Sequence, residues 1–130
     1  MQTDSIHTHD VVVIGGGIAG LSAALAAAKA GLDIAVASKV HPLRSPSGSA
    51  GQGVNAALAG TQDSCELHAR DTLRVADGLA DYDAVEFLCT RAPQVISELE
   101  QLGVLFSRRA DGLPAQRPLE PGGFPRACYS

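Results

Sequence analysis

Cysteine is scarce in this chain. Cys65, Cys89 and Cys128 are odd in number, widely spaced and without a C-x-x-C pair, which excludes a disulfide framework and the usual zinc or iron–sulfur spacings. They read as reduced thiols of a cytoplasmic protein. A basic cluster is also missing: the formal net charge is −4, and Arg108 and Arg109 are an isolated pair. Nucleic acid is thereby excluded as the main partner, since phosphate binding needs a concentrated cationic face. No apolar run reaches the roughly 18 residues of a membrane-crossing helix. The polar stretch through His9 has no apolar h-region, so neither export nor direct membrane insertion is expected. His7 and His9 fall in that tail, 1–9, where solvated histidines are expected rather than metal ligands. No metal site is expected anywhere in the chain.

Parallel strands are in short supply too. The 130 residues have the length of one ordinary domain, yet a complete doubly wound fold needs about five or six such strands. Two can be found, Val11 to Ile14 and Asp33 to Ala37. The last residues, Ala127 to Ser130, offer no helix cap, polar tail or charge run. The expectation is an opening part of a larger protein, with apolar sheet edges left exposed.

What is present is concentrated near the start. Val11, Val12, Val13 and Ile14 suit a buried parallel strand, and Leu21 to Ala30 is rich in helix formers and stops before Gly31, a C-terminal signal. Between them stands Gly15, Gly16, Gly17, Ile18, Ala19, Gly20, a G-x-G-x-x-G turn in the strand-to-helix setting that gives the motif its meaning. The first glycine allows the tight turn and the third position brings backbone to a pyrophosphate. Gly20 lets the helix lie close on the strand, and the helix N-terminus attracts the anion. A dinucleotide site is the reading.

A second loop, Ser38 to Gly53, follows the second strand and holds Ser38, Ser45, Ser47, Ser49, Gly48, Gly51 and Gly53 with Lys39 and Arg44. Small residues expose backbone amides, hydroxyls add donors and the cations suit phosphate. The Asp or Glu that usually ends the second strand and takes the ribose hydroxyls is absent, since Val36, Ala37, Ser38 and Lys39 stand there. The usual nicotinamide reading is weakened, although Ser38 can still hydrogen-bond a ribose, more weakly than a carboxylate, and Lys39 can take a phosphate.

Farther along, a short helix is predicted from Gly53 to Leu58 and a longer one from Asp63 or Ser64 to Gly78. Asp81 caps a third, and Pro93 opens a separate helix closed by Gly103. Ala84, Val85, Phe87, Leu88, Val95, Ile96, Leu99 and Leu102 read as core. Leu105 to Ser107 and Leu113 to Gln116 flank Arg109, Ala110, Asp111 and Gly112, a turn suited to a small β-hairpin. The fold class is thus α/β, a Rossmann-like βαβ start with an incomplete parallel sheet, helices and a hairpin.

Taken with Ser38, Lys39 and Val40, then Pro42, Arg44 and Ser45, then Gly53, Ala57 and Leu58, the chain resembles succinate dehydrogenase and fumarate reductase flavoprotein subunits. The likeness continues through Asp71 and Thr72, Asp83, Ala84 and Glu86, then Glu98, Leu99 and Glu100. It ends on Phe106, Ser107, Arg108, Asp111, Gly112, Gln116, Arg117 and Pro118. It runs from Asp10 onward over the first quarter or so of such a subunit. Residues 10–130 then form the N-terminal portion of an FAD-binding domain, without its capping domain. L-aspartate oxidase, which shares the flavin fold, is the competing relative. A truncated remnant that binds flavin without catalysis is the non-enzymatic alternative.

The resemblance implies FAD, with Gly15, Gly16, Gly17, Ile18, Ala19 and Gly20 on the pyrophosphate and Ser38 and Lys39 near the adenosine. Arg44, Ser45, Ser47, Ser49, Ala50, Gly51, Gln52 and Gly53 run along the pyrophosphate and isoalloxazine. Many members attach FAD through a histidine two residues after the loop arginine. Pro46 stands there, and proline offers no nucleophilic nitrogen, so non-covalent FAD is expected, with a lower flavin potential that favours fumarate reduction or an oxidase. The usual Ala-Gln-Gly-Gly stands as Ala50, Gly51, Gln52, Gly53, which shifts a side chain beside the flavin. The reaction implied is hydride transfer between flavin and a C4 dicarboxylate, with an iron–sulfur subunit as electron partner. The protein would be cytoplasmic, free or peripheral on that face of the membrane through partner subunits. The substrate-holding groups belong to later segments, so no catalytic residue is assigned here, and Arg108, Arg109, Arg117 and Arg126 read as solvated or structural.

Overall fold

The computed structural model describes residues 6–51, 53–119 and 123–130. The chain divides into two compact units, Met1–Gly51 and Gln52–Ser130.

The first unit is a β-α-β element. Strand β1 (Val11–Ile14) pairs in parallel with β2 (Ile34–Ala37), Val11 opposite Ile34 and Ile14 opposite Ala37. Helix α1 (Ile18–Lys29) joins them. It begins three residues before the expected Leu21, because Gly17 serves as its N-cap and Gly20 lies inside its first turn. At the far end Gly31, in the left-handed region at φ 80°, ends the helix as its sequence position foretells. Below the strands, the Asp33 amide donates to Asp10 Oδ2 at 2.9 Å and the Asp10 amide to the Asp33 carbonyl at 3.0 Å. His9 Nδ1 lies 2.9 Å from Asp33 Oδ2, so this histidine is anchored rather than solvated. Parallel strands are normally covered on both faces. Here Val12, Ile14 and Val36 on the strands stay exposed, as do Ile18, Leu21 and Leu25 of α1.

Where a plain loop was expected after β2, the chain folds into a 3-10 turn (Pro42–Arg44) and a one-turn helix α2 (Pro46–Ser49). Both begin with proline in the first helical position, where a missing N–H costs nothing.

The second unit packs two helices with a small antiparallel sheet of order β3-β5-β4: β3 (Val54–Asn55), β5 (Ala127–Cys128) and β4 (Gln116–Arg117). The helix expected from Gly53 to Leu58 is instead β3 and the turn after it. So short a helix cannot offset its own nucleation, whereas Val54 and Asn55 pair with Cys128 and Ala127 and lead Ala56 and Ala57 into the interior. Helix α3 (Cys65–Ala76) starts where Ser64 accepts a hydrogen bond from the Leu67 amide, as the sequence indicates.

Helix α4 (Tyr82–Gln101) is capped by Asp81, as expected, but it runs unbroken through Pro93. Two helices would need a cap before Pro93, and Ala92 is a poor one. Cys89, Ala92 and Ile96, spaced three and four apart across the proline, are all buried on one face, and that shared burial keeps the axis continuous despite one lost backbone bond. The apolar stripe is narrower than expected. Ile96 is 2 % exposed and Leu99 packs on the core, but Phe87, Leu88 and Leu102 are 70 %, 58 % and 64 % exposed. The core consists of Ala56, Ala92, Ile96, Phe106 and Cys128.

The expected hairpin is present in reduced form. Its turn closes through Gly112 N–H to the Arg109 carbonyl at 3.0 Å, with one bridge, Arg108 opposite Pro114. Pro114 has no N–H to extend it, and the regular pairing forms downstream, where β4 meets β5.

Replacing Pro93 by alanine tests the continuity of α4. Restoring the amide is expected to raise the unfolding free energy by about 2 kcal/mol, after allowance for the unfolded-chain entropy that proline removes. Denaturant unfolding measures it; a drop in stability would mean that Pro93 marks a boundary between two helices.

Candidate functional site

The glycine turn is built by close backbone approach. Gly15 has φ 115°, and its N–H donates to the Ala37 carbonyl at 2.8 Å, tying the start of the turn to the end of β2. A Cβ on Gly20 would lie 2.0 Å from the Gly15 carbonyl oxygen and 3.3 Å from Val13. No side chain fits there, so α1 rests directly on the turn, as the motif requires.

The second loop folds back onto the first. A Cβ on Gly16 would come within 2.9 Å of Ser38 Oγ, and one on Gly17 within 3.2 Å of Ser47 Oγ. Ser47 Oγ accepts from the Ile18 amide at 3.1 Å, capping α1 from the neighbouring loop because Gly17 has no side chain to do so. The next amides, Ala19 and Gly20, lie in the first turn of a 12-residue helix, where no intrahelical carbonyl reaches them. The helix dipole adds partial positive charge there. This is a cradle of donors that favours an anion.

Ser45 is 4 % exposed and caps α2, its Oγ accepting from the Gly48 amide at 3.2 Å, while Ser49 Oγ donates to the Ser45 carbonyl. Ser38 Oγ donates to the Val40 carbonyl at 2.7 Å. Lys39, Arg44, Ala50 and Gly51 are exposed. The structure thus gathers Gly15 to Gly20 with Ser38, Ser45, Ser47 and Ser49 in the first unit. Gln52 lies outside the described residues. Gly53 belongs to the second unit, at φ 108°, with a hypothetical Cβ only 2.5 Å from the Cys128 carbonyl oxygen.

The residues of the first unit fit a dinucleotide pyrophosphate: a cradle that any Cβ at Gly16 or Gly17 would narrow, hydroxyls at its rim and two exposed cations beyond. A family model described as an FAD binding domain matches residues 10–129. The chain belongs to the FAD binding domain family. It is 48 % identical over 112 residues to the fumarate reductase flavoprotein subunit of Mycobacterium tuberculosis H37Rv, covering 85 % of this chain and 19 % of that protein. The succinate dehydrogenase flavoprotein subunit of Rickettsia felis is 45 % identical over 113 residues, with 86 % and 19 % covered. Among solved structures, Mycobacterium smegmatis Sdh1 in complex with UQ1 superposes with a TM-score of 0.87 at 37 % identity, over 95 % of this chain and 21 % of that one. Escherichia coli quinol fumarate reductase FrdA gives 0.74 at 40 %, over 84 % and 19 %. The chain spans about a fifth of the length of these relatives. The resemblance to succinate dehydrogenase and fumarate reductase flavoproteins is borne out.

The second unit holds a cluster that sequence reading did not single out. Arg126, 8 % exposed, donates from Nε and Nη2 to the two Asp63 carboxylate oxygens, each at 2.7 Å, and its Nη1 lies 3.0 Å from Asp71. The structural half of the expectation for this arginine holds; the solvated half does not. Arg108 pairs with Glu100 at 2.6 Å, Arg109 with Asp111 at 2.6 Å, and Arg117 stacks on the Tyr129 ring at 4.8 Å. The three cysteines are free thiols, and burial pushes those of Cys89 and Cys128 up. No helix among the described residues is long and apolar enough to cross a membrane.

Beside Arg126, His68 is 4 % exposed, and its Nδ1 has no partner among the described residues. Burial, then the Arg126 charge, hold the imidazole below its ordinary range against the pull of Asp63 and Asp71. For Asp63, burial alone would raise the carboxyl, but the Arg126 bonds, the Ser64 backbone and the Arg126 charge together outweigh it and bring the group low.

Two outcomes are expected. Gly20→Ala forces α1 off the turn and lowers stability by about 1–3 kcal/mol; an unchanged melting temperature would contradict the close approach. For His68, the folded protein refuses a proton that the unfolded chain accepts below about pH 6.5, so its contribution is complete above that pH and is lost on acidification through the lower folded value. The melting temperature therefore falls between about pH 7 and pH 5, and His68→Gln flattens that part of the profile. An identical slope in the variant would show that another group is responsible.

Proposed function

We propose that this chain forms the FAD-binding region of a succinate dehydrogenase or fumarate reductase type flavoprotein subunit, and that its FAD is held non-covalently. The observation that carries the reading is the cradle made by the Gly15 to Gly20 turn and the Ser38 to Gly51 loop. The Ile18 amide is already capped by Ser47, and the Ala19 and Gly20 amides in the first turn of α1 have no intrahelical carbonyl to donate to. Similarity to flavoprotein subunits over most of the chain supports the same assignment.

Each residue then has a limited task. Gly15, Gly16 and Gly17 bring backbone to the pyrophosphate, and the amides of Ala19 and Gly20 at the start of α1 donate to it. Ser38 and Lys39 lie toward the adenosine. Arg44, Ser45, Ser47, Ser49, Ala50 and Gly51 would hold the pyrophosphate and isoalloxazine, with Gln52 and Gly53 assigned to that role by sequence order alone. Bound FAD supplies hydride chemistry at a carbon–carbon bond of a dicarboxylate. The groups that grip the dicarboxylate and move its proton lie outside this chain, and an iron–sulfur subunit exchanges electrons with the flavin. The protein works in the cytoplasm, reaching the membrane only through partner subunits.

Pro46 supports the non-covalent form. It takes the first position of α2 behind the Ser45 cap, a place that favours proline, and its ring offers no nitrogen for a flavin bond. Acid precipitation of the natural-length protein carrying this sequence is the test. Flavin is expected wholly in the supernatant; a yellow pellet would contradict the non-covalent link, and a colourless protein after reconstitution with FAD would overturn the flavin reading itself.

A further inference from the structure

We infer that the buried Asp63–Arg126–Asp71 clasp is a positioning device for Gly53, the last residue of the proposed flavin loop; the inference rests on that loop's role in holding FAD. Arg126 directly precedes β5, the central strand of the second unit's sheet. Its side chain is fixed on one side by two 2.7 Å bonds to Asp63, which precedes α3, and a 3.0 Å contact to Asp71 within α3. Its backbone is fixed on the other. The Arg126 carbonyl accepts from the Ala56 amide at 3.0 Å and from Gln116 Nε2 at 3.1 Å, and Gln116 also reaches the Ala56 carbonyl at 2.7 Å.

One residue therefore couples α3 to the strand that follows Gly53. From Arg126 the chain enters β5, whose Cys128 carbonyl sits so close to Gly53 that a Cβ there would be 2.5 Å away. Gly53 is held at φ 108° against that carbonyl, and Val54 pairs with Cys128 immediately afterwards. If β5 shifts, Gly53 loses the surface that sets its left-handed geometry. An exposed arginine would have little such leverage. This one is buried, charge-assisted and forked across two carboxylates, the arrangement that transmits a fixed geometry. Lysine, a single point charge, cannot reproduce the fork.

The test compares Arg126→Met, Arg126→Lys and the core variant Ile96→Val in the natural-length protein carrying this sequence, reconstituted with FAD. Ile96→Val lowers stability without touching the clasp. Both Arg126 variants are expected to weaken FAD binding by the folded protein about tenfold, the equivalent of one hydrogen bond lost between the displaced loop and the flavin. Ile96→Val is expected to leave the affinity unchanged while lowering the melting temperature, by less than the Arg126 variants do. Amide hydrogen exchange at Val54, Asn55 and Ala56, read without flavin, is expected to speed up in the Arg126 variants and not in Ile96→Val. Faster exchange with unchanged flavin affinity overturns the positioning role. Unchanged exchange overturns the clasp's hold on Gly53, whatever the flavin does. A wild-type protein that takes up no FAD removes the flavin reading and with it the purpose assigned to Gly53. Exchange alone then decides whether the clasp holds that residue.

Discussion

Backbone resting on backbone, with no room for a side chain between, is the constraint on which both units depend. In the first, the Gly15 carbonyl occupies the space a Gly20 side chain would need, so the first turn of α1 is pressed against the end of β1. That contact aims the helix N-terminus at the place where the second loop arrives, and the loop in turn donates Ser47 as the cap that glycine cannot be. In the second unit the Cys128 carbonyl occupies the corresponding space at Gly53. Close approach of this kind places amide donors with little freedom, which is what an anion cradle requires.

Charge does in the second unit what glycine does in the first. Arg126 is nearly buried, and a buried cation is stable only when its donors are matched. Asp63 takes two of them and Asp71 a third contact. The neutral state of His68 follows from the same arrangement. With the carboxylates already satisfied by Arg126, little remains to favour a second cation beside it, and burial decides the outcome. Without the guanidinium the two carboxylate charges would act on the imidazole unopposed, so the cluster responds as a unit rather than as separate pairs.

The local chemistry of turns and caps was legible in the residue order, and contacts distant along the chain were not. Ser64 and Asp81 cap α3 and α4 because a short side-chain oxygen three residues ahead of an orphan amide is enough, whatever surrounds it. The glycine turn was legible for the same reason. Pro93 misled because its local preference for a helix start is real, yet burial of Cys89 and Ile96 on both sides of it outweighs that preference. Val54 and Asn55 misled because their strand partner lies more than 70 residues away, and alanines in sequence say helix until a partner strand is supplied. For Arg126 the residue order left solvated and structural roles equally open: its neighbours Pro125 and Ala127 do not decide between them, and only the arrival of Asp63 and Asp71 makes it structural.

The missing acid at the end of β2 also acquires a physical account. Ser38 Oγ donates to the Val40 carbonyl two residues on, and the same atom occupies space that a side chain on Gly16 would need. A carboxylate in that place would be bulkier and would have no proton to give Val40. Because Gly16 is itself buried beneath Ser38 and Pro42, the two loops are matched by size. A small hydroxyl at 38 lets the second loop lie on the first, and Ser47 can then reach the Ile18 amide. A carboxylate at 38 would forfeit the bond to Val40, so the absence of an acid there and the meeting of the two loops are consistent with one another.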